Sequence, residues 1–164
     1  MGRILPVILA VVALLGGCAD KVKILNVVPR LTWVAVSPAA DGVVEITLWV
    51  SDRDGDPVDV DGRWTAEPAS PGDAGEPLVM AAGGHGLIGL TTDDGIFDPN
   101  GEAHLVRWDV SAVDATGDIR LRFAPDDLEA GPGTPMRTPA FSLGVGLPEP
   151  VPLEVDPDAV PPNA

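Results

Sequence analysis

The chain has 164 residues, enough for one domain of ordinary size but not for two independent cores. Its 19 glycines and 18 prolines break helices, and Lys21 and Lys23 are its sole lysines, which disfavours a helical bundle. A formal net charge of -15 lacks the basic footprint that phosphate recognition needs, so no nucleic acid is expected as a partner.

The N-terminal segment carries Arg3, an apolar run over residues 4–15, and then Gly16, Gly17 and Cys18. A short positive start, an apolar stretch and small residues ahead of a cut make a secretory signal peptide. The uncharged run stops at Ala19, before Asp20, and falls short of the roughly 20 apolar residues that cross a bilayer. An uncleaved membrane helix is therefore the weaker alternative. Leu15, Gly16, Gly17 and Cys18 together resemble the lipobox of bacterial lipoproteins. The resemblance implies cleavage after residue 17, a thioether from the Cys18 thiol to diacylglycerol, and a lipid-anchored protein of the cell envelope. Ala19, in place of the Asp that favours inner-membrane retention, implies the outer membrane.

Removal of residues 1–17 takes away Arg3 and no acid, leaving 9 basic against 25 acidic groups. Such a chain repels anionic headgroups, so attachment to a membrane has to come from a covalent lipid. Cys18 is the single cysteine, which excludes an intrachain disulfide. Residues 18–29 read as the lipidated cysteine and its tether.

Residues 30–146 alternate apolar and polar side chains between turn-forming residues, which predicts an all-β domain. A first strand is expected over 31–37. A second covers 43–50, with Val44, Ile46, Leu48 and Val50 on one face and Glu45, Thr47 and Trp49 on the other. The acidic turn 52–57 then leads to a third strand over 58–64, read as the second arm of a hairpin. Two shorter strands are expected at 78–81 and 87–90, joined by Gly83, Gly84, His85 and Gly86. Further strands cover 103–110 and 118–123, and a less regular one covers 138–145. About seven strands with polar turns predict an antiparallel β-sandwich, with a closed barrel as the alternative. Residues 147–164 hold six prolines among acids and no base, and read as a disordered acidic tail.

The turn from Asp52 to Val58, the Arg107-Trp108-Asp109 strand and the run from Ile119 to Asp127 resemble fibronectin type III-like and immunoglobulin-like modules of bacterial surface proteins. That resemblance implies the sandwich fold. The usual tyrosine of the penultimate strand is missing, and Leu121 or Phe123 stands nearest to its role.

Candidate sites follow from residue chemistry. Asp52, Asp54 and Asp56 begin like a calcium loop, in which hard oxygens meet a hard cation. Pro57 at the sixth place and Arg63 at the twelfth exclude an EF-hand. A different calcium site would need Asp59 or the second acidic loop, with Asp93, Asp94, Asp98 and Glu102, to come near. The plainer reading is that these aspartates cap turns. Trp49 opposes its apolar neighbours and is the candidate exposed aromatic for a carbohydrate or other ligand, whereas Trp64 and Trp108 face the core. Asp59 and Asp61 are expected to face Arg120 and Arg122 across neighbouring strands. His104 beside Glu102 reads as a solvated pair. No nucleophile motif is present, so the protein is not expected to be an enzyme, and a small hydrolase using His85 or His104 is the weakest reading.

The expected function is a non-catalytic envelope lipoprotein whose sandwich meets other envelope proteins, with a calcium- or carbohydrate-binding surface module as the alternative. Cys18→Ala should block acylation and leave residues 1–17 attached, whereas the wild-type chain should begin at an acylated Cys18. Intact mass measures both, and a wild-type chain that keeps residues 1–17 and carries no acyl group would contradict the lipid anchor.

Overall fold

The computed structural model describes residues 26–70, 73–92 and 100–158. The expected signal segment 1–17, Cys18 and most of the tether lie outside the described residues, as do Asp93, Asp94 and Asp98. The strands are β1 (Arg30–Val36), β2 (Val43–Ser51), β3 (Asp59–Ala66), β4 (Glu76–Pro77), β5 (Glu102–Asp109), β6 (Ile119–Asp126), β7 (Met136–Arg137), β8 (Leu147–Pro152) and β9 (Glu154–Val155).

They form two antiparallel sheets, ordered β5-β2-β1-β8 and β4-β3-β6-β7-β9. The fold is a β-sandwich. Its first, second and fifth strands share one sheet while the third, sixth and seventh share the other. Nine strands stand where about seven were expected: β1, β2, β3, β5 and β6 match expected strands, β4, β7 and β9 are two-residue pairings too short to show a period, and β8 lies in the stretch read as a tail.

Alternation sets the core. Val44, Ile46, Leu48 and Val50 of β2 are fully buried, as are Val106 and Trp108 of β5 and Ile119, Leu121 and Phe123 of β6. Leu121 and Phe123 are thus both core residues. Trp64 of β3 meets Trp108 of the opposite sheet with ring centres 6.2 Å apart and a tilted geometry. Such a contact adds about 0.5–1.5 kcal/mol to the area it buries.

Three expectations require correction. First, β2 and β3 are not a hairpin. β2 lies between β1 and β5, whereas β3 pairs with β6, so the turn after Ser51 carries the chain from one sheet to the other. Second, residues 78–81 and 87–90 are not strands but an irregular cover over one open side. Val79 O accepts from Asp109 N and Ala81 N donates to Arg107 O along the edge of β5, while Leu87 O and Leu90 bond Val60 and Val58 of β3. Leu78, Leu87 and Leu90 turn into the core. Gly62 faces the same cover, and a side chain there would press on the ends of Leu78 and Leu87, which would have to shift.

Third, residues 147–158 belong to the sandwich and not to a disordered tail. β8 pairs with the outer edge of β1, Leu153 is buried where the chain changes sheets, and β9 pairs with β7. Proline is tolerated there because β8 is an edge strand, where an amide facing solvent has no ladder partner to lose. The expected strand at 138–145 gives way to a single bridge from Phe141 to Ile119 and a turn over 143–145, just after β7. The Thr138 hydroxyl accepts from Leu121 N, taking a place that a backbone carbonyl fills in a regular ladder.

Leu153→Ala should cost about 2–4 kcal/mol in urea unfolding, as a buried leucine does. A change under about 0.5 kcal/mol, the level of a surface substitution, would return this segment to the status of a tail.

Candidate functional site

The chain enters β1 at the same end of the sandwich where β2 ends, β3 and β5 begin and β6 ends. Both groups of chemistry-bearing residues collect at this pole. The first is the acidic turn after β2. Asp54 N donates to Asp52 Oδ1 at 2.8 Å, and Gly55 N donates to Asp52 O at 3.1 Å, so Asp52 holds the turn as an Asx residue does. Val27 N donates to Asp54 Oδ2 at 2.7 Å and ties the incoming chain to the turn. From the loop after β6, Asp127 Oδ1 accepts from the backbone N–H groups of Glu129, Ala130 and Gly131.

These caps leave oxygens over. Asp52 is 1 % exposed, and Asp52 Oδ2, Asp54 Oδ1 and Asp127 Oδ2 are buried without a hydrogen-bond partner. Burial pushes the Asp52 carboxyl above its ordinary value. The Asp54 N–H opposes that rise, and the charges of Asp127, Asp54 and Asp56 add to it. Nonetheless, among the described residues no group of three or more His, Cys, Asp or Glu side chains is gathered as ligands for one ion. The turn-capping role accounts for Asp52 and Asp54, and Asp56 contributes its backbone carbonyl to the Thr92 hydroxyl at 2.9 Å.

The second group was not legible as a pair. His85 lies 19 residues before His104, yet their Nδ1 atoms are 3.2 Å apart and their rings meet edge to face. His104 is 3 % exposed on the inner face of β5, so it is not the solvated partner of Glu102 that its neighbour suggests. His104 Nε2 lies 2.7 Å from Thr91 O. His85 is delivered by the cover over the β5 edge, where its own N–H donates to Leu105 O and Leu105 N donates back to its ring. Gly84 makes this approach possible. Its φ is +75°, and a Cβ there would collide with Leu105 O. A cavity of about 240 Å³ opens beside the pair, lined by His85, Gly89, Leu90, Thr91, Glu102 and His104.

Trp49 is half-buried, not the exposed aromatic expected of a ligand platform. The register of β1 against β2 shifts between Leu31 and Val34, so Thr32 and Trp33 together stand against Trp49 in a bulge. Asn100 bonds that bulge, its carbonyl accepting from the Thr32 hydroxyl and its Oδ1 from Trp33 Nε1 at 3.0 Å. β3 and β6 are neighbours as expected, but Asp59 faces Asp126 and Asp61 faces Ala124. The arginines of this sheet find acids elsewhere: Arg63 with Asp61 on its own strand, Arg120 with Glu67, and Arg122 with Asp156. The Asp156 contact lies in the segment that had read as a tail.

Comparisons with protein-family models, curated proteins and solved structures return no match to this chain.

Asp52 sets a testable pH dependence. Its folded value lies above the unfolded one, so the folded chain binds more protons between the two, and stability falls as pH rises through that window. Asp52→Asn keeps an oxygen for the Asp54 N–H and removes the buried charge. It should raise stability at pH 7 by about 1 kcal/mol and flatten the profile in the acid range. Thermal melts across pH check this, and equal destabilisation at pH 7 would show that the charge itself is used.

Proposed function

We propose that this protein is a non-catalytic lipoprotein of the bacterial cell envelope that presents an acidic β-sandwich to a basic protein partner. The observation that carries the reading is the distribution of its cations. Arg3, Lys21 and Lys23 lie outside the described residues, and four of the seven remaining basic residues, Arg63, Arg107, Arg120 and Arg122, are paired with carboxylates of the same chain. The negative excess is thus left to the surface, which steers a positively charged partner and repels anionic lipid.

The lipobox-like residues up to Cys18 support the address. β1 begins at Arg30, twelve residues after Cys18, and a chain of that length reaches at most about 40 Å. The pole bearing Asp52, Asp54 and Asp127 then lies nearest the anchor, and the opposite pole is offered outward. The apolar interior and the absence of a nucleophile motif support a binding role over a hydrolytic one.

A second reading, calcium binding at the anchor-side pole, is favoured by the three partnerless carboxylate oxygens of Asp52, Asp54 and Asp127. Calcium would add oxygens from backbone carbonyls and water to these.

Crosslinking the lipid-anchored protein in isolated envelopes should capture a basic partner. Yield should fall steeply as salt rises from about 0.05 to 0.5 M, because screening shortens the reach of the field. Salt-independent crosslinks, or crosslinks to lipid alone, would contradict the partner. Excess calcium should raise the melting temperature if the second reading holds, and no shift would remove it.

A further inference from the structure

We infer that two copies of this chain associate face to face through the outer surface of the sheet formed by β5, β2 and β1. Burial alternates along these strands, so the residues between the fully buried ones point away from the core. Three rows cross the middle of that surface. Trp49 stands beside Ala103 and, across the bulge, beside Trp33. Thr47 stands between Leu105 and Ala35, and Glu45 stands beside Arg107. The first two rows hold no charge, and their tryptophans and leucine are half-buried with one side still open to solvent.

Charge singles out this face. The chain carries -15 in all, so two copies repel unless the surfaces that meet are neutral. The outward residues of β1, β2 and β5 include Arg30 and Arg107 against Glu45 and Asp109, and these two bases and two acids cancel. The outer face of the other sheet is unsuited, because Arg63, Arg120, Arg122 and Arg137 stand there among Asp61 and Glu67 and a flat contact would strip water from all of them. Arg107 Nη1 donates to Ala82 O at 2.6 Å, but its Nε is buried without a hydrogen-bond partner. Glu45 Oε1 lies 3.6 Å from that Nε, too far for a hydrogen bond, and the Glu45 side chain is 53 % exposed. The Glu45 carboxylate is thus open to a second guanidinium.

One symmetry uses these residues together. A twofold axis running along the strands between β2 and β5 sets each Arg107 against the partner subunit's Glu45 and each Trp49 against the partner subunit's Ala103. Each β1 then lies over residues 79–81 of the other copy, which extend the sheet beyond β5 through Val79 O and Ala81 N. Twisted sheets pack in this aligned manner. Four strand positions about 4.8 Å apart and about eight residues long cover roughly 500 Å² per copy. Two copies bury roughly 1,000 Å², the least that a specific interface needs, so the dimer is weak, with a micromolar constant. The same axis keeps both chain-entry poles at one end, where two anchors in one membrane need them. That last point alone rests on the lipid anchor proposed above.

The test is sedimentation of the full chain in excess detergent, at protein concentrations up to about 0.1 mM, well above a micromolar constant. A dimer should form and should persist or strengthen as salt rises from about 0.05 to 0.5 M, because screening weakens the repulsion of two acidic chains. Capture of a basic partner has the opposite salt dependence, so either reading can fail without the other. Thr47→Glu puts an acid at the centre of the face and should abolish the dimer while thermal melts show the fold retained. Glu45→Arg and Arg107→Glu should each give monomers, and mixing these two variants should restore the dimer, since opposite charges then meet only between unlike chains. Monomer throughout, a dimer that survives Thr47→Glu, or a mixture that stays monomeric would overturn the interface.

Discussion

The inner faces of the two sheets, closed on one another through Trp64 and Trp108, are what every other feature of this molecule depends on. With one cysteine in the sequence, no cystine crosses the sandwich in the way that staples many immunoglobulin-type domains. Cohesion therefore rests on burial. Each fully buried valine, leucine or phenylalanine contributes about 1.5–3 kcal/mol, and the strict alternation in β2 and β6 places these residues on the inner face. The tryptophan contact joins the sheets directly, because its two rings come from different sheets.

Two packed sheets leave two open sides, and both are closed by chain that lacks long strands. On one side residues 78–92 bond the edges of β5 and β3 and insert Leu78, Leu87 and Leu90. On the other, β8 and β9 add a strand to each sheet and Leu153 fills the seam. The irregular cover gives an incoming strand no regular ladder, and the prolines of the edge strand β8 offer it no donor, so the segments that complete the core also guard against edge-to-edge association. The first of them has another consequence. By docking on β5 it carries His85 over the edge and onto His104, so the imidazole pair is a by-product of sealing the sandwich.

Charge follows the same logic of local satisfaction. Arg63, Arg122 and Arg137 face one another directly across β3, β6 and β7, an arrangement that repels. Asp61 and Asp156 relieve it from within the chain, the second being supplied by the segment after β9. At the pole where the chain enters, aspartates cap their own loops through one oxygen and leave the other buried. This geometry makes tight turns and raises the Asp52 carboxyl at the same time.

The alternation of β1, β2, β3, β5 and β6 was readable because side-chain period encodes which face a residue takes, and burial of one face enforces it. The all-β class, the inward Trp108 and the turn-capping aspartates follow from that and from the chemistry of Asp, Gly and Pro. The period does not encode which strand lies alongside. Hence β2 and β3 resemble a hairpin in the sequence although they belong to different sheets, and Asp61 finds Arg63 on its own strand, not a residue of β6. Edge elements of two residues carry no period at all, and a proline-rich acidic stretch reads as tail although β1 and β7 give it partners. Trp49 alternates outward, but a bulge in the neighbouring strand half covers it. The contact of His85 with His104 depends on a glycine-flanked loop docking against a distant edge, which local residue order does not specify. What the sequence by itself determined is the inside and outside of each strand; the tertiary structure alone decided neighbours, edges and the meeting of the two histidines, because these depend on long-range closure of backbone hydrogen bonds and core volume together.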